Sequence, residues 1–246
     1  MRVKLQPAWL LHRRPYRDSS QLLEVFTAEH GRLSLVARGV RRKARGGSTA
    51  AIVQPLVPLL LSFSGRAELK TLTAAEVAGS SVSLVGQRLF SGLYLNELLL
   101  RLLHRHDPHP QLFAHYAGTL DNLAGLIPAD ETLRRFEFRL LDELGYSFDL
   151  SHDAYSGDPL LESGWYRYEG DKGIVATERQ HDAAAPAYAG ADLLALSRGE
   201  YTPESRRTAK RLLRQVLAQY LDGKPLRSRD LFSQFRQGSQ AEAVSS

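Results

Sequence analysis

The first 80 residues place apolar and polar side chains in short alternating runs, a pattern typical of β-strands, and they show little helical periodicity. The predicted strands are Ala8–His12, Leu22–Thr27, Leu33–Ala37, Leu56–Phe63 and Ala67–Leu72. Pro55 and Pro58 mark the fourth run as an edge strand or a bulge, because proline cannot donate to a sheet. Five short strands suit a small closed barrel, and the OB-fold is one five-stranded barrel that binds oligonucleotides.

Further along the chain the apolar residues recur at spacings of three and four, which predicts amphipathic helices. Local signals mark several helix ends. Asp130 is a candidate N-cap, Gly145 a candidate residue just after a helix, and Thr202 followed by Pro203 a helix start. The predicted helices run over about 87–106, 112–123, 130–144, 193–196 and 203–221.

These patterns predict an α+β chain with two domains. An OB barrel would occupy residues 1–80, and a mostly helical domain residues 81–237. Residues 146–190, rich in Gly, Asp, Ser and Pro, form an irregular part of the second domain with one hairpin, Trp165–Tyr168 against Gly173–Ala176. The small polar residues 238–246 predict a disordered tail.

The positive charge is concentrated in the predicted barrel. Residues 1–80 carry 13 Lys/Arg against 5 Asp/Glu, whereas residues 81–246 carry 19 against 22. Five cations fall within eight residues of one loop: Arg38, Arg41, Arg42, Lys43 and Arg45. Like charges at this density repel one another unless anions neutralise them, so the loop is either a solvated hairpin tip or a contact for phosphate backbones.

Other residues of the predicted barrel extend this nucleic-acid hypothesis. Arg13, Arg14 and Lys70 would add phosphate contacts. Tyr16 stands between cations and is the best candidate for stacking on a base, whereas the alternation within the first two predicted strands indicates that Trp9 and Phe26 face the core.

Motifs for catalysis and cofactors are scarce. The chain has no cysteine, which excludes disulfides, thiolate zinc sites and thiol nucleophiles, and it has no phosphate-binding glycine loop or nucleophile elbow. The run His104–His109 could hold a metal but is more typical of a solvated helix end, and the adjacent Asp142 and Glu143 diverge on a helix. We expect no enzyme activity, no cofactor and no bound metal. Without a secretory signal or a long apolar run, we expect a cytoplasmic protein, and the family resemblance given below implies that it is nucleoid-associated.

Two groups of cations lie on the predicted helices. Arg134 and Arg135 flank the apolar face of one helix, and Lys210, Arg211 and Arg214 form a stripe with Arg207 on the last. Each group could be a solvated face. An apolar groove with a cationic rim would also suit an acidic peptide that ends in a free carboxylate.

Several motifs, in order over about residues 8–236, resemble the bacterial recombination mediator family RecO. The motifs are Leu11–Ser20, Val25–Arg32, Val36–Arg42, Gly92–Leu99, Leu133–Glu137, Glu143–Tyr146, Ala209–Arg211 and Lys224–Phe232. The resemblance implies an N-terminal OB barrel, a helical domain and a non-catalytic repair factor. Such a factor binds single- and double-stranded DNA and anneals complementary strands.

The resemblance also implies protein partners. They are RecR and the acidic C-terminal tail of single-stranded-DNA-binding protein (SSB), and with RecR such proteins help to load RecA on SSB-coated strands. The tail-binding residues would be Arg134, Arg135, Lys210, Arg211 and Arg214. Some family members hold zinc with four cysteines after the Leu-Gly-Tyr motif, but residues 151–175 have none, so packing by Trp165 and Tyr168 is expected instead. An RNA-binding OB protein and a metal-dependent nuclease are the rival hypotheses.

Overall fold

The computed structural model describes residues 1–38, 52–178, 186–221, 224–228 and 232. The described chain divides into two compact units. The first contains Met1–Ala129 together with the described residues from Pro225 onward, and the second contains Asp130–Lys224. The domain division expected near residue 80, and the tail expected at 238–246, stay predictions.

Five strands form the closed barrel that the alternating pattern predicted, in the order β1-β2-β3-β5-β4. β3 and β5 pair in parallel, and the remaining neighbours pair antiparallel. The α+β class with an N-terminal five-stranded barrel is therefore confirmed. The strands are β1 (Arg2–Tyr16), β2 (Ser20–Thr27), β3 (Gly31–Ala37), β4 (Pro58–Ser64) and β5 (Lys70–Val77).

The barrel buries side chains on two faces. Leu10, Val25 and Leu35 belong to the cluster that fills its interior. Trp9 and Phe26 are buried as predicted, but they lie on the outer wall, where helices cover them. Successive residues of a strand point to opposite faces, so a strand covered on both sides reads as a nearly continuous apolar run.

Two helices of the first unit provide that cover, α1 (Gly86–Leu102) and α2 (Pro110–Ala124). The ring of Tyr116 meets Trp9 edge-on at 5.3 Å between ring centres. The Tyr116 hydroxyl donates to the side-chain oxygen of Asn96, and the Asn96 amide donates to the carbonyl of Leu10 at 3.2 Å. This chain of buried hydrogen bonds fixes α1 and α2 against β1.

The described residues of the second unit form three helices and a small three-stranded sheet of order β7-β6-β8. The predicted hairpin is present, and a third strand that was not predicted, β8, pairs with β6. The elements are α3 (Ala129–Glu143), β6 (Trp165–Glu169), β7 (Gly173–Ala176), β8 (Tyr188–Ala189), α4 (Gly190–Ser197) and α5 (Pro203–Tyr220).

Two predicted helix ends of this unit are confirmed. The hydroxyl of Thr202 accepts the backbone N–H of Ser205 at 3.2 Å, which makes Thr202 the N-cap of α5. After α3, Gly145 has a φ of +76°, and the N–H of Tyr146 reaches the carbonyl of Leu141 at 2.8 Å. That pattern is a Schellman motif, in which glycine adopts the left-handed conformation at least cost.

Other predicted bounds were wrong. α1 ends at Leu102 rather than near His106, because Leu103 has an extended backbone with ψ 135°. α3 begins at Ala129, so Asp130 lies in its first turn instead of capping it. β5 begins and ends later than the predicted fifth strand, because residues 65–69 form the bend that precedes it. None of the described helices is long and apolar enough to cross a membrane.

The cysteine-free irregular segment is held by a carboxylate and by aromatic packing. Asp153 accepts backbone N–H groups from Tyr155 at 2.8 Å, Ser156 at 3.0 Å and Ala176 at 2.6 Å. Tyr168 is buried and its ring centre lies 5.0 Å from that of Phe148. Trp165 is only partly buried, so of the two expected aromatics Tyr168 packs more deeply.

Candidate nucleic-acid interface

Three strands of the barrel end side by side, and their ends carry the described arginines of the predicted DNA site. In the sheet register Pro15 pairs with Gln21, and Gln21 pairs with Ala37. Arg14 and Arg38, which flank these positions, therefore lie at the same barrel edge. We call the residues Arg13, Arg14, Tyr16, Arg17 and Arg38 the cationic edge.

The predicted basic loop starts from this edge. Residues 39–51 follow Arg38 directly, and its predicted contacts Arg41, Arg42, Lys43 and Arg45 lie outside the described residues. On the returning side, the carbonyl of Val53 accepts a hydrogen bond from Nη1 of Arg13 at 3.3 Å. Both flanks of the basic segment are thus adjacent to the cationic edge.

The side chains of the cationic edge differ in their exposure to solvent. Arg14, Arg17 and Arg38 are exposed, whereas Arg13 and Tyr16 are half-buried. The guanidinium of Arg17 lies 5.3 Å from the ring centre of Tyr16. Residues 13–18 together with Arg38 contain four arginines and one carboxylate, that of Asp18, a net charge of +3 before the basic loop is counted. The sequence reasoning omitted Arg17, although it adjoins Tyr16 in the same basic motif.

Lys70 does not join the cationic edge. Its side chain is 7% exposed, and its ammonium group donates to the carbonyl of Ala67 at 3.2 Å. The backbone of Lys70 pairs with Leu35 at the start of β5. In this position Lys70 stabilises the turn between β4 and β5, and it presents little charge to solvent.

Residues 104–108, in the segment after α1, are exposed, as predicted for a solvated helix end, and the segment also contacts the barrel. Arg105 forms ion pairs with Glu24 at 3.4 Å and Glu68 at 2.7 Å, so two barrel carboxylates are neutralised internally. The N–H of His106 donates to the carbonyl of Arg32 at 3.0 Å. Burial lowers the pKa of the Arg32 guanidinium. No metal-ligating cluster of His, Asp or Glu occurs among the described residues.

In the second unit, the two predicted tail-binding residues of α3 differ in environment. Arg134 is 7% exposed and pairs with the fully buried Glu137 at 2.8 Å. Arg135 is exposed, and its guanidinium lies 4.3 Å from the ring centre of Tyr201 while pairing with Glu131 at 2.9 Å. Arg135 and Tyr201 together offer a cation beside an aromatic surface, whereas Arg134 is part of the core.

The three predicted tail-binding residues of α5 share its solvent face. Lys210, Arg211 and Arg214 are all exposed, and Arg211 lies 5.3 Å from the ring centre of Tyr188. Arg211 also donates to the carbonyl of Ala187 at 3.3 Å. Within the described residues, no hydrogen bond, ion pair or ring contact joins these three side chains to Arg134 or Arg135. The five predicted residues therefore occupy three environments rather than one cluster.

Comparison with known proteins identifies the family. Residues 1–81 match the family model described as Recombination protein O N terminal, and residues 85–230 match Recombination protein O C terminal. The chain belongs to the RecO family. The resemblance noted from the sequence motifs is confirmed over nearly the whole chain.

Curated RecO proteins are similar over almost their full length. The chain is 47% identical over 232 residues to the DNA repair protein RecO of Methylococcus capsulatus, covering 94% of this chain and 93% of that protein. It is 46% identical to the protein of the same name from Nitrosococcus oceani, over 96% and 95% of the two chains. For Haemophilus influenzae the identity is 43%, over 95% and 98%. In the RecO family models, the cationic edge falls within the N-terminal match and α5 within the C-terminal match.

Proposed function

We propose that this RecO-family chain is a non-catalytic DNA repair and recombination mediator that binds phosphate backbones at the cationic edge. The observation that carries the proposal is the convergence of Arg14, Tyr16 and Arg38 at one barrel edge, from which the basic segment 39–51 leaves. Arginine forks suit phosphate oxygens, and the ring of Tyr16 offers a surface for a base.

Strand annealing follows from the same charges. Two DNA strands repel each other through their phosphates, and cations that neutralise both strands lower that barrier. Complementary bases then pair spontaneously, so the reaction needs no nucleotide hydrolysis and no bond is broken. The protein binds both single- and double-stranded DNA in this proposal, because backbone contacts carry no sequence information.

Fluorescence anisotropy with labelled single-stranded DNA tests the proposal. The double variant Arg14→Glu/Arg38→Glu should lose most of its DNA affinity while its circular dichroism spectrum stays unchanged. The matched control, Arg139→Glu/Arg198→Glu, reverses two exposed arginines of the second unit and should bind normally. Equal affinity of the edge variant and the wild type would reject the site. Preference for structured RNA, or magnesium-dependent strand cleavage, would reject the DNA-mediator function itself.

The acidic tail of SSB is the partner proposed for the second unit. The exposed guanidinium of Arg135 beside Tyr201 supports this, because such a tail needs both a cation for its carboxylates and an apolar surface. Arg135→Ala should weaken binding of a tail peptide, and Arg139→Ala serves as its control on the same helix. Unchanged peptide affinity of Arg135→Ala would exclude this location.

RecR and the RecA-loading machinery complete the proposed set of partners. Membership of the RecO family is the reason for proposing these partners. The contact with the SSB tail would bring the protein to SSB-coated strands. A RecA-loading assay on SSB-coated DNA, with and without RecR, measures this directly. Stimulation that requires both proteins is expected, and its absence would separate this chain from the mediator function.

A further inference from the structure

Helix α5 concentrates positive charge in a unit that is otherwise acidic. Residues 130–224 carry 13 Lys/Arg against 17 Asp/Glu, a net charge of −4. Within them, the ten residues Ser205–Arg214 contain five cations and no carboxylate. A net-acidic surface repels nucleic acid, so a phosphate backbone that meets this unit needs a local cationic face such as that of α5.

The helix directs most of these charges to one side. Ala209, Leu212, Leu213, Val216 and Leu217 are completely buried, and they occupy the opposite side of α5. Arg207, Lys210, Arg211 and Arg214 are exposed at positions i, i+3, i+4 and i+7, which form a single stripe. With a rise of about 1.5 Å per residue, the stripe is about 10 Å long. We call these four residues the α5 stripe.

The four cations of the α5 stripe differ in what they contact. Arg207 pairs with Glu204 at 2.5 Å. Within the part of the chain that the structure describes, Lys210 and Arg214 have no carboxylate at ion-pair distance. Arg211 is held in place by the Ala187 carbonyl and the Tyr188 ring. Arg211 is therefore pre-ordered and loses little entropy on meeting an anion, while Lys210 and Arg214 supply unneutralised charge beside it.

The composition of the stripe decides between partner classes. An acidic-hydrophobic peptide requires an apolar surface beside the cations, which Arg135 has in Tyr201. The exposed positions of the α5 stripe are cationic throughout, and the apolar side chains of α5 face inward. A row of cations without an apolar floor suits a phosphodiester backbone, whose charges repeat at regular intervals.

We propose that the α5 stripe is a second nucleic-acid surface, which takes the phosphodiester backbone of a second strand while the cationic edge holds the first. This inference rests on the proposed function, and it moves Lys210, Arg211 and Arg214 from tail binding to phosphate binding. It gives annealing a physical basis in one molecule: two separate cationic surfaces, one on each unit, each neutralising one strand.

The test uses the full-length variant Lys210→Glu/Arg214→Glu with Arg139→Glu/Arg198→Glu as the matched charge-reversal control on the same unit. Short oligo-dT strands labelled with donor and acceptor cannot pair, so energy transfer between them reports two strands held together. The α5 variant should lose this energy transfer. For binding of the second strand, the magnitude of the slope of log affinity against log salt should decrease by about 1.4, because each of the two lost phosphate contacts contributes about 0.7. Its affinity for the first strand should change less than twofold.

Each outcome separates this inference from the proposed function. Normal energy transfer in the α5 variant overturns the stripe while leaving the cationic edge intact. Loss of SSB-tail peptide binding with normal energy transfer also overturns it, and would assign α5 to the peptide. If the wild-type protein fails to bind even one strand, the proposed function itself fails. Circular dichroism and thermal melting of both variants verify that the second unit remains folded.

Discussion

The carboxylate of Glu137 is completely buried, and the guanidinium Nη1 of Arg134 lies 2.8 Å from it, one turn earlier on α3. A charged pair inside a unit is expensive to desolvate, and it remains favourable only while both partners are present. Arg134 therefore supports the packing of α3, and a peptide-binding role would have to be performed by its exposed neighbour Arg135.

Replacing Arg134 by alanine should destabilise the protein by about 3–5 kcal/mol, because it removes the charge partner of a buried carboxylate. Urea denaturation measures the loss. Arg135→Ala, on the exposed side of the same helix, should change the free energy of unfolding by less than about 1 kcal/mol. A stable Arg134→Ala variant with impaired tail binding would show instead that Arg134 contacts the ligand.

Gly31→Ala should destabilise the first unit. Gly31 has a φ of +63°, and a Cβ atom there would lie 2.0 Å from the backbone oxygen of Asp107. Both the left-handed backbone and the close approach require glycine, so the segment after α1 would have to move away from β3. The expected result is a lower midpoint of thermal unfolding. The control is Gly79→Ala, which has a similarly positive φ but nothing within 4 Å of the added Cβ. If the midpoint of thermal unfolding fell equally in the two variants, the positive φ alone, and not the close approach to Asp107, would explain the destabilisation.

The sequence predicted the features that depend on local signals. The alternation of the first 80 residues specified a five-stranded barrel, and Thr202 and Gly145 marked helix ends through their own backbone chemistry. The cluster of arginines near Tyr16 also followed from sequence, because adjacent residues of one strand end remain adjacent in the fold. These inferences needed no knowledge of which elements pack together.

The remaining features depend on distant packing. Arg134 and Lys70 were interpreted as surface cations, yet both are buried by residues that sequence spacing does not identify. Trp9 was assigned to the core, but its position on the outer wall follows from the placement of Tyr116. Likewise, the short strand β8 adds only two residues to β6, too few for a periodic signal.

Acid should loosen the irregular segment of the second unit. Hydrogen bonds from the backbone of Ser156, and then of Ala176 and Tyr155, hold the pKa of Asp153 below its ordinary value. A depressed folded-state pKa stabilises the protein above the unfolded-state value, about 3.9 for Asp, and this stabilisation is lost as the pH falls through the folded value. Wild-type melting temperatures should therefore fall more steeply below about pH 4 than those of Asp153→Asn.

Hydrogen exchange at Tyr155, Ser156 and Ala176 provides the local check on Asp153. Those amides should lose protection in Asp153→Ala at neutral pH, while amides of α5 keep theirs. Parallel acid profiles of the wild type and Asp153→Asn, with protected amides in both, would contradict the role assigned to this carboxylate.

The C-terminal segment of the first unit should detach when Glu97 is replaced. The Glu97 carboxylate accepts the N–H of Arg227 at 2.9 Å and both the N–H and hydroxyl of Ser228, at 2.8 and 2.6 Å. Leu226, just before them, is 1% exposed. Burial raises the pKa of Glu97, but these hydrogen bonds outweigh it and the pKa is lowered. In Glu97→Ala, the backbone amides of residues 227 and 228 should exchange hydrogen rapidly. Glu97→Gln should retain part of their protection, because its side-chain oxygen can still accept a hydrogen bond. Unchanged hydrogen exchange in both variants would exclude the contact between Glu97 and this segment.

The salt dependence of DNA binding should identify how many residues of the cationic edge meet phosphates. Each contact on single-stranded DNA contributes about −0.7 to the slope of log affinity against log salt, because neutralised phosphates release counterions. Arg14→Ala and Arg38→Ala should each reduce the magnitude of the wild-type slope by about that amount, and the double variant by about twice as much. Lys70→Ala should leave the slope unchanged, since its ammonium group is turned toward the carbonyl of Ala67. A slope that responds to Lys70 but not to Arg14 would place the phosphates on a different face of the barrel.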